Sequence, residues 1–394
     1  MRLENLHLEK RTKKTEALIA LFLSSVLFYE GYFVLFFGIK EAGSLNPYLA
    51  TILAFVGLVL FLINNRVNLC IFGVYALLSL FILTFTAFND GAWAKALRDQ
   101  AYMTIFCFFF FYFYTKSRKA SFSSESFSFY LAFFSIGLYP SLGLFLDFSA
   151  YEGRFPGFSL SPPVFANGIL LSYLVFRNIA FERKIACFVF FVLAVFFITK
   201  SGTRSALVMI LIYELVYIFM RRSGGGGRLC IVLAAVVGLA LFLFLSFDGA
   251  EHRVISITDT ESGSLSTRMQ WYVLLLEDIY NSVFFGGFGA GAAEARLGYI
   301  PHFDLLRFWY DYSVVFFILF LTLIFSMLRF SGFELSIIFV RRLFMSLFFL
   351  SLCFLNLIFL SMHNAFQVPG LVLFMSLWLV YYPYGFFEKN HKNT

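Results

Sequence analysis

The sequence predicts an all-α, polytopic membrane protein with about twelve transmembrane helices and one large structured loop on its outer face. Three observations predict it. Of the 394 residues, 60% are hydrophobic and only 13% are charged, whereas soluble domains carry about 25% charged residues; mean hydropathy is +0.83. Apolar windows approaching the roughly 20 residues that a spanning helix needs recur along nearly the whole chain. Period-2 alternation is absent, and a bilayer forces the backbone to satisfy its own polar groups, so helices are predicted rather than a barrel.

The elements follow in order. The basic stretch Lys10-Arg11-Thr12-Lys13-Lys14 leads into an apolar run too long for a signal-peptide core, which reads as an uncleaved first span at 17–37. Further spans are predicted at 47–63, 67–88, 98–114, 127–148, 164–176, 185–198, 205–220, 229–247, 310–328, 343–360 and 369–383, with a kink at Pro140 in the fifth. Together they make residues 1–394 one polytopic membrane domain. Lys and Arg gather on the inner side of membranes. With both termini inside, 20 of the 30 Lys and Arg residues fall on inner segments. The cysteines Cys70, Cys107, Cys187, Cys230 and Cys353 lie in apolar runs without a CxxC, which argues against a disulfide framework or a zinc site. The net charge of +7 is spread over membrane-flanking loops and does not point to nucleic acid.

The outer face carries one long loop, residues 248–309. Within it, Met269–Ile279 has apolar residues at helical spacing and predicts an amphipathic helix. Glycines cluster at Phe285-Gly286-Gly287-Phe288-Gly289-Ala290-Gly291, and Tyr299–Arg307 leads straight into the tenth span. A loop of this length with its own patterning is usually functional. The tract Gly224–Gly227 reads as an inner turn.

Four cations on the outer segments are candidates for an anion clamp. Lys200 and Arg204 lie in Thr199-Lys200-Ser201-Gly202-Thr203-Arg204, Arg154 in Glu152-Gly153-Arg154-Phe155-Pro156-Gly157, and Arg268 opens the amphipathic helix. Arginine forms bidentate, charge-assisted hydrogen bonds to phosphate oxygens, so three arginines from three segments suit a lipid-borne pyrophosphate. The alternative is that each pairs with a nearby carboxylate or a lipid headgroup. His302 is the candidate general base, and His363 competes with it. Asp304 and Arg307 are candidates to orient the base or contact sugar. Glu30 and Glu214 lie within spans, where they could contact substrate, hydrogen-bond between helices or relay protons. No DxD or His/Asp cluster of metal-ligand type stands out, so no metal and no cofactor are expected.

Three segments carry a resemblance. Thr199–Leu207 (TKSGTRSAL), Arg268–Gly289 (RMQWYVLLLEDIYNSVFFGGFG) and Pro301–Val315 (PHFDLLRFWYDYSVV) occur in the order seen in the bacterial O-antigen polymerase and ligase superfamily. Arg154 in GRFPGFSLSPP resembles the family's earlier Arg-x-x-Gly…Pro segment, and the likeness covers roughly residues 150–325. The chain departs from the family at Phe303, where Asn is usual, at Asp311-Tyr312 in place of Glu-Tyr, and at Ser313 near a common Gly. The resemblance implies an inner-membrane glycosyltransferase with its active site facing the periplasm and loop 248–309 as a periplasmic roof. The implied partners are an undecaprenyl-pyrophosphate-linked oligosaccharide, membrane lipid and a chain-length regulator protein. Arg154, Lys200, Arg204 and Arg268 would hold the pyrophosphate, and His302 would deprotonate the acceptor hydroxyl. Transfer would be metal-free and inverting. Polymerase is the leading expectation, because the ligase-like His-Asn pair is absent. A ligase acting on lipid A-core and a lipid-linked oligosaccharide flippase are the alternatives.

Overall fold

The computed structural model describes residues 2–37, 46–63, 68–89, 91–119, 122–146, 155–159, 161–180, 183–220, 264–298, 301, 303–333, 350–358, 360 and 365–383. Every regular element among them is helical. They are α1 (Arg2–Leu27), α2 (Tyr29–Phe37), α3 (Asn46–Ile63), α4 (Leu69–Phe88), α5 (Trp93–Ser117), α6 (Ser124–Ala132), α7 (Tyr139–Phe145), α8 (Pro162–Ile179), α9 (Lys184–Ser201), α10 (Arg204–Met220), α11 (Ser264–Asn281), α12 (Ala292–Leu297), α13 (Asp304–Phe330) and α14 (Pro369–Tyr381). A π-helical segment, Phe133–Leu138, joins α6 to α7, and a 3-10 turn covers Ala365–Gln367.

Among the described residues, five stretches are long and apolar enough to cross a membrane: α3, α4, Ser124–Phe145, α9 and α13. The pair α1–α2, bent by 75°, makes a sixth if it counts as one span. Ser205–Leu215 and Pro369–Tyr381 are shorter apolar helices. The expected spans at 98–114 and 164–176 fall on α5 and α8, whereas 229–247 lies outside the described residues, as does much of 343–360. On α3 and α4, Phe55, Leu62 and Leu80 are more than half exposed. So much outward apolar surface suits hydrocarbon rather than water.

The chain divides into two compact units, each built from separate stretches. The first comprises Met1–Ser44, Phe113–Ser256 and Leu377–Thr394. In it α1 packs on α6, and α8 runs against α6, α9 and α10. Helix α8 is buried on every side from Phe165 to Asn178. Its Gly168 lets α1 close in, since a Cβ there would come within 2.9 Å of Leu27 Cδ2. The kink expected at Pro140 takes the form of a wider helix. Proline lacks an N–H and clashes with the carbonyl four residues back. The π-segment just before it relieves that clash, with Tyr139 N–H donating to Phe134 O five residues earlier.

The second unit comprises Leu45–Tyr112 and Ile257–Ser376. Here α13 packs on α4, and α11 and α12 pack on α13. The amphipathic helix expected at Met269–Ile279 lies within α11, and its Leu275 and Ile279 join Ala293, Leu306 and Tyr310 in one apolar cluster. Polar contacts between α4 and α5 add roughly 1 kcal/mol each or less in a membrane: Gln100 Nε2 donates to Tyr75 O–H (2.9 Å) and Ser79 Oγ (2.8 Å). Helix α13 breaks at Ser313 (φ 86°, ψ 166°). The glycine turn fills that break. Gly287 and Phe288 N–H donate to Tyr310 O, Gly289 N–H donates to Asp311 O, and Val314 N–H donates to Phe285 O. Only glycine fits at Gly286 (φ 106°), where a Cβ would stand 2.3 Å from Trp309 O.

Candidate functional site

In the first unit, the stretch Thr199–Arg204 is a reversal between two helices. Helix α9 ends at Gly202 in the left-handed region (φ 64°), whose N–H donates to Thr199 O at 2.9 Å. Ser201 Oγ accepts from Thr203 N–H (3.3 Å) and donates to Ile198 O (2.6 Å). Arg204 is then the first residue of α10. Helix N-termini favour anions through their free N–H groups and dipole, so the start of α10 is itself a positive end. Lys200, in the last turn of α9, is exposed.

The segment that follows Arg154 is fastened to this reversal. Phe155 N–H donates to Lys200 O at 3.0 Å. The Phe155 ring packs on Phe165 and Phe197, with centroids 5.4 and 6.2 Å away. Gly157 has φ 61°, and a Cβ on it would stand 1.9 Å from the Phe165 ring. Phe158 is wedged against α2, since a Cβ at Gly31 would come within 2.3 Å of its ring. Arg154 itself lies outside the described residues, but its chain neighbour is one hydrogen bond from Lys200. The Lys200, Arg204 and Phe155 segments therefore share one end of the first unit. Arg268 belongs to the second unit, near the start of α11. His302 and His363 lie outside the described residues.

Asp304 and Arg307 are both wholly buried. Arg307 Nη1 donates to Asp99 Oδ2 at 2.8 Å, and Tyr312 O–H donates to the same oxygen at 2.8 Å. Asp304 Oδ1 stands 3.8 Å from Arg307 Nε, and Asp311 Oδ2 stands 3.8 Å from Nη1. Asp304 accepts from Phe366 N–H and Gln367 Nε2, both at 2.9 Å, and so ties the 3-10 turn to α13. Asp311 accepts from Gly291 N–H (3.2 Å) and Ala293 N–H (2.9 Å), and so ties the glycine turn to the same helix. As placed, these residues organise the loop around α13 and offer no surface to a sugar.

The ionic network reaches the surface through α12. Glu294 meets Lys95 Nζ at 2.5 Å and Arg98 Nη2 at 3.0 Å. Partial burial pushes the Glu294 carboxyl up, but the Lys95 ammonium and the Arg98 guanidinium outweigh it and hold the group below the ordinary carboxylate range. The Asp304, Arg307, Asp311 spacing of three and four along one helix was the available signal for part of this cluster.

Arg177 is a buried partner of Glu214. Its Nε donates to Glu214 Oε1 at 2.7 Å and its Nη2 to Oε2 at 3.1 Å, while Tyr173 O–H donates to Oε1 at 2.6 Å. The guanidinium carbon lies 3.9 Å from the Tyr217 ring centroid. Of the roles open to Glu214, hydrogen bonding between helices is the one its contacts fill. Glu30 accepts from Ser159 Oγ at 2.8 Å. Among the described residues no group of three or more His, Cys, Asp or Glu is placed to hold a metal ion. No protein-family model, curated protein or solved structure matches the chain.

Proposed function

We propose that the chain is a membrane glycosyltransferase, an O-antigen (surface polysaccharide) polymerase of the bacterial inner membrane. It would transfer a glycan from polyprenyl pyrophosphate to a hydroxyl of a second lipid-linked repeat. The reading rests on the ordered motifs, and the observation that carries it furthest is the Phe155 N–H to Lys200 O hydrogen bond. That contact ties Phe155, the residue after Arg154 in the chain, to the reversal that carries Lys200 and Arg204, which supports a shared pyrophosphate site. Cations held there would stabilise the charge that develops on the leaving pyrophosphate. Arg268 would add a fourth, and His302 would accept the hydroxyl proton. The anomeric carbon loses its bond to the pyrophosphate oxygen as the acceptor oxygen attacks the opposite face.

Glycan profiling of cells carrying Arg204→Ala, Arg204→Lys and Arg154→Ala tests the reading. Arg204→Ala and Arg154→Ala should leave single-repeat glycan while the protein stays in the membrane. Arg204→Lys should recover only part of the polymer, because an ammonium lacks the bidentate fork. Bare core with lipid-linked polymer would make the chain a ligase, and repeats stranded inside would make it a flippase. Full polymer in Arg204→Ala would end the clamp reading. Single cysteines at Ser264 and Ser123, in a cysteine-free background, check the facing. An impermeant thiol reagent should label Ser264→Cys in spheroplasts and leave Ser123→Cys untouched.

A further inference from the structure

We infer that Asp304 is a proton-binding site: it holds an exchangeable proton on behalf of the buried ionic cluster around Arg307. The inference begins with charge. Among the described residues, three cations (Lys95, Arg98, Arg307) face four carboxylates (Asp99, Glu294, Asp304, Asp311). Asp99, Asp304, Arg307 and Asp311 are wholly buried. A buried charge left without a counter-charge is costly and is relieved by taking up or losing a proton. The cluster carries one negative charge too many, so one carboxylate is the natural acceptor of a proton.

Hydrogen bonding selects which one. A carboxylic acid needs an acceptor for its O–H. Asp311 is held by the backbone N–H groups of Gly291 and Ala293; these only donate, so they favour the ionised form. Asp99 takes a direct, charge-assisted bond from Arg307 at 2.8 Å, which also favours the ionised form. Glu294 sits between Lys95 and Arg98. Asp304 differs from all three. Like Asp311 it stands 3.8 Å from the guanidinium and accepts from a backbone N–H, that of Phe366, but its other partner is a side-chain amide, that of Gln367. An amide can turn to present its oxygen as readily as its NH2, so Gln367 can accept from a protonated Asp304. Among the described residues the other titratable neighbours are Tyr102, whose O–H donates to Gln367 O at 2.7 Å, and Tyr312, committed to Asp99. Proton uptake at Asp304 would loosen its hold on Phe366 N–H and hence on the 3-10 turn, giving the second unit a pH-dependent joint.

The site can be tested without any turnover. Infrared difference spectra of the purified full-length protein in lipid nanodiscs would be recorded as pH is raised, in H2O and D2O. The wild type should lose a protonated-carboxyl band that shifts in D2O. That band should vanish in Asp304→Asn, move in frequency in Asp304→Glu, and persist in Asp311→Asn. A band unchanged in Asp304→Asn, or one removed by Asp311→Asn instead, would overturn the assignment. If Asp304→Asn does not accumulate, Asp304→Glu decides alone: an unmoved band, or no such band in the wild type, rejects the site. Failure here leaves the glycan-transfer reading untouched, because no step of that transfer uses Asp304.

Discussion

Replacing Ser313 by glycine should stabilise the protein. At φ 86° and ψ 166°, Ser313 occupies backbone space that is nearly reserved for glycine, at a cost of about 1–3 kcal/mol. Its side chain gives little back, since Oγ is buried without a hydrogen-bond partner, which costs about 1–3 kcal/mol more. Against this, glycine has more conformational freedom to lose on folding, roughly 0.5–1 kcal/mol. The balance favours Ser313→Gly by roughly 1–5 kcal/mol. The break cannot simply heal into regular helix, because the glycine turn already satisfies the carbonyls of Tyr310 and Asp311. Two controls separate the terms. Ser313→Ala removes the hydroxyl but keeps the strain, so it should gain less. Gly286→Ala should lose stability, because its new Cβ meets Trp309 O at 2.3 Å. The assay is equilibrium unfolding of purified protein in mixed micelles, followed by far-ultraviolet circular dichroism. A midpoint for Ser313→Gly at or below that of the wild type would refute the reasoning, and would mean that the serine is held by something worth more than its strain.

Two further perturbations follow from the ion pairs. Glu214→Gln leaves the Arg177 guanidinium buried without its counter-charge and should cost about 3–5 kcal/mol, while Arg177→Met with Glu214→Leu should come much closer to the wild type in the same unfolding assay; equal losses in both would show that the charge pair is not what matters. The Glu294 carboxyl is held below its ordinary value of 4.5 in the folded protein, so its contribution is full above that value and fades as pH falls through the lower folded one. Thermal midpoints should therefore drop on acidification below 4.5, and Glu294→Gln should show a shallower drop; identical profiles would remove Glu294 as a source of acid sensitivity.

The membrane class, the helical architecture and the amphipathic helix at Met269–Ile279 were legible in the sequence, because each is a local property. Hydropathy over some twenty residues and the spacing of apolar side chains on one helix need no partner to be read. The glycine cluster was visible for the same reason, although the turn it makes against α13 was not. The sequence also singled out Lys200, Arg204 and the segment after Arg154, but it could not join them. That took a hydrogen bond from Phe155 to Lys200, which packing around Gly157 and Phe165 makes possible. Charges were the hardest to read. Arg98 finds Glu294, and Arg307 finds Asp99, across about two hundred residues of chain. Nothing local to Arg177 or Lys95 announces the carboxylate that each one meets. A span's composition reports how well it suits lipid, whereas the pairing of its few charges depends on which helices meet. The strained Ser313 is of the same kind: nothing in its own sequence calls for a break, and the turn that enters α13 from some twenty-five residues upstream imposes it.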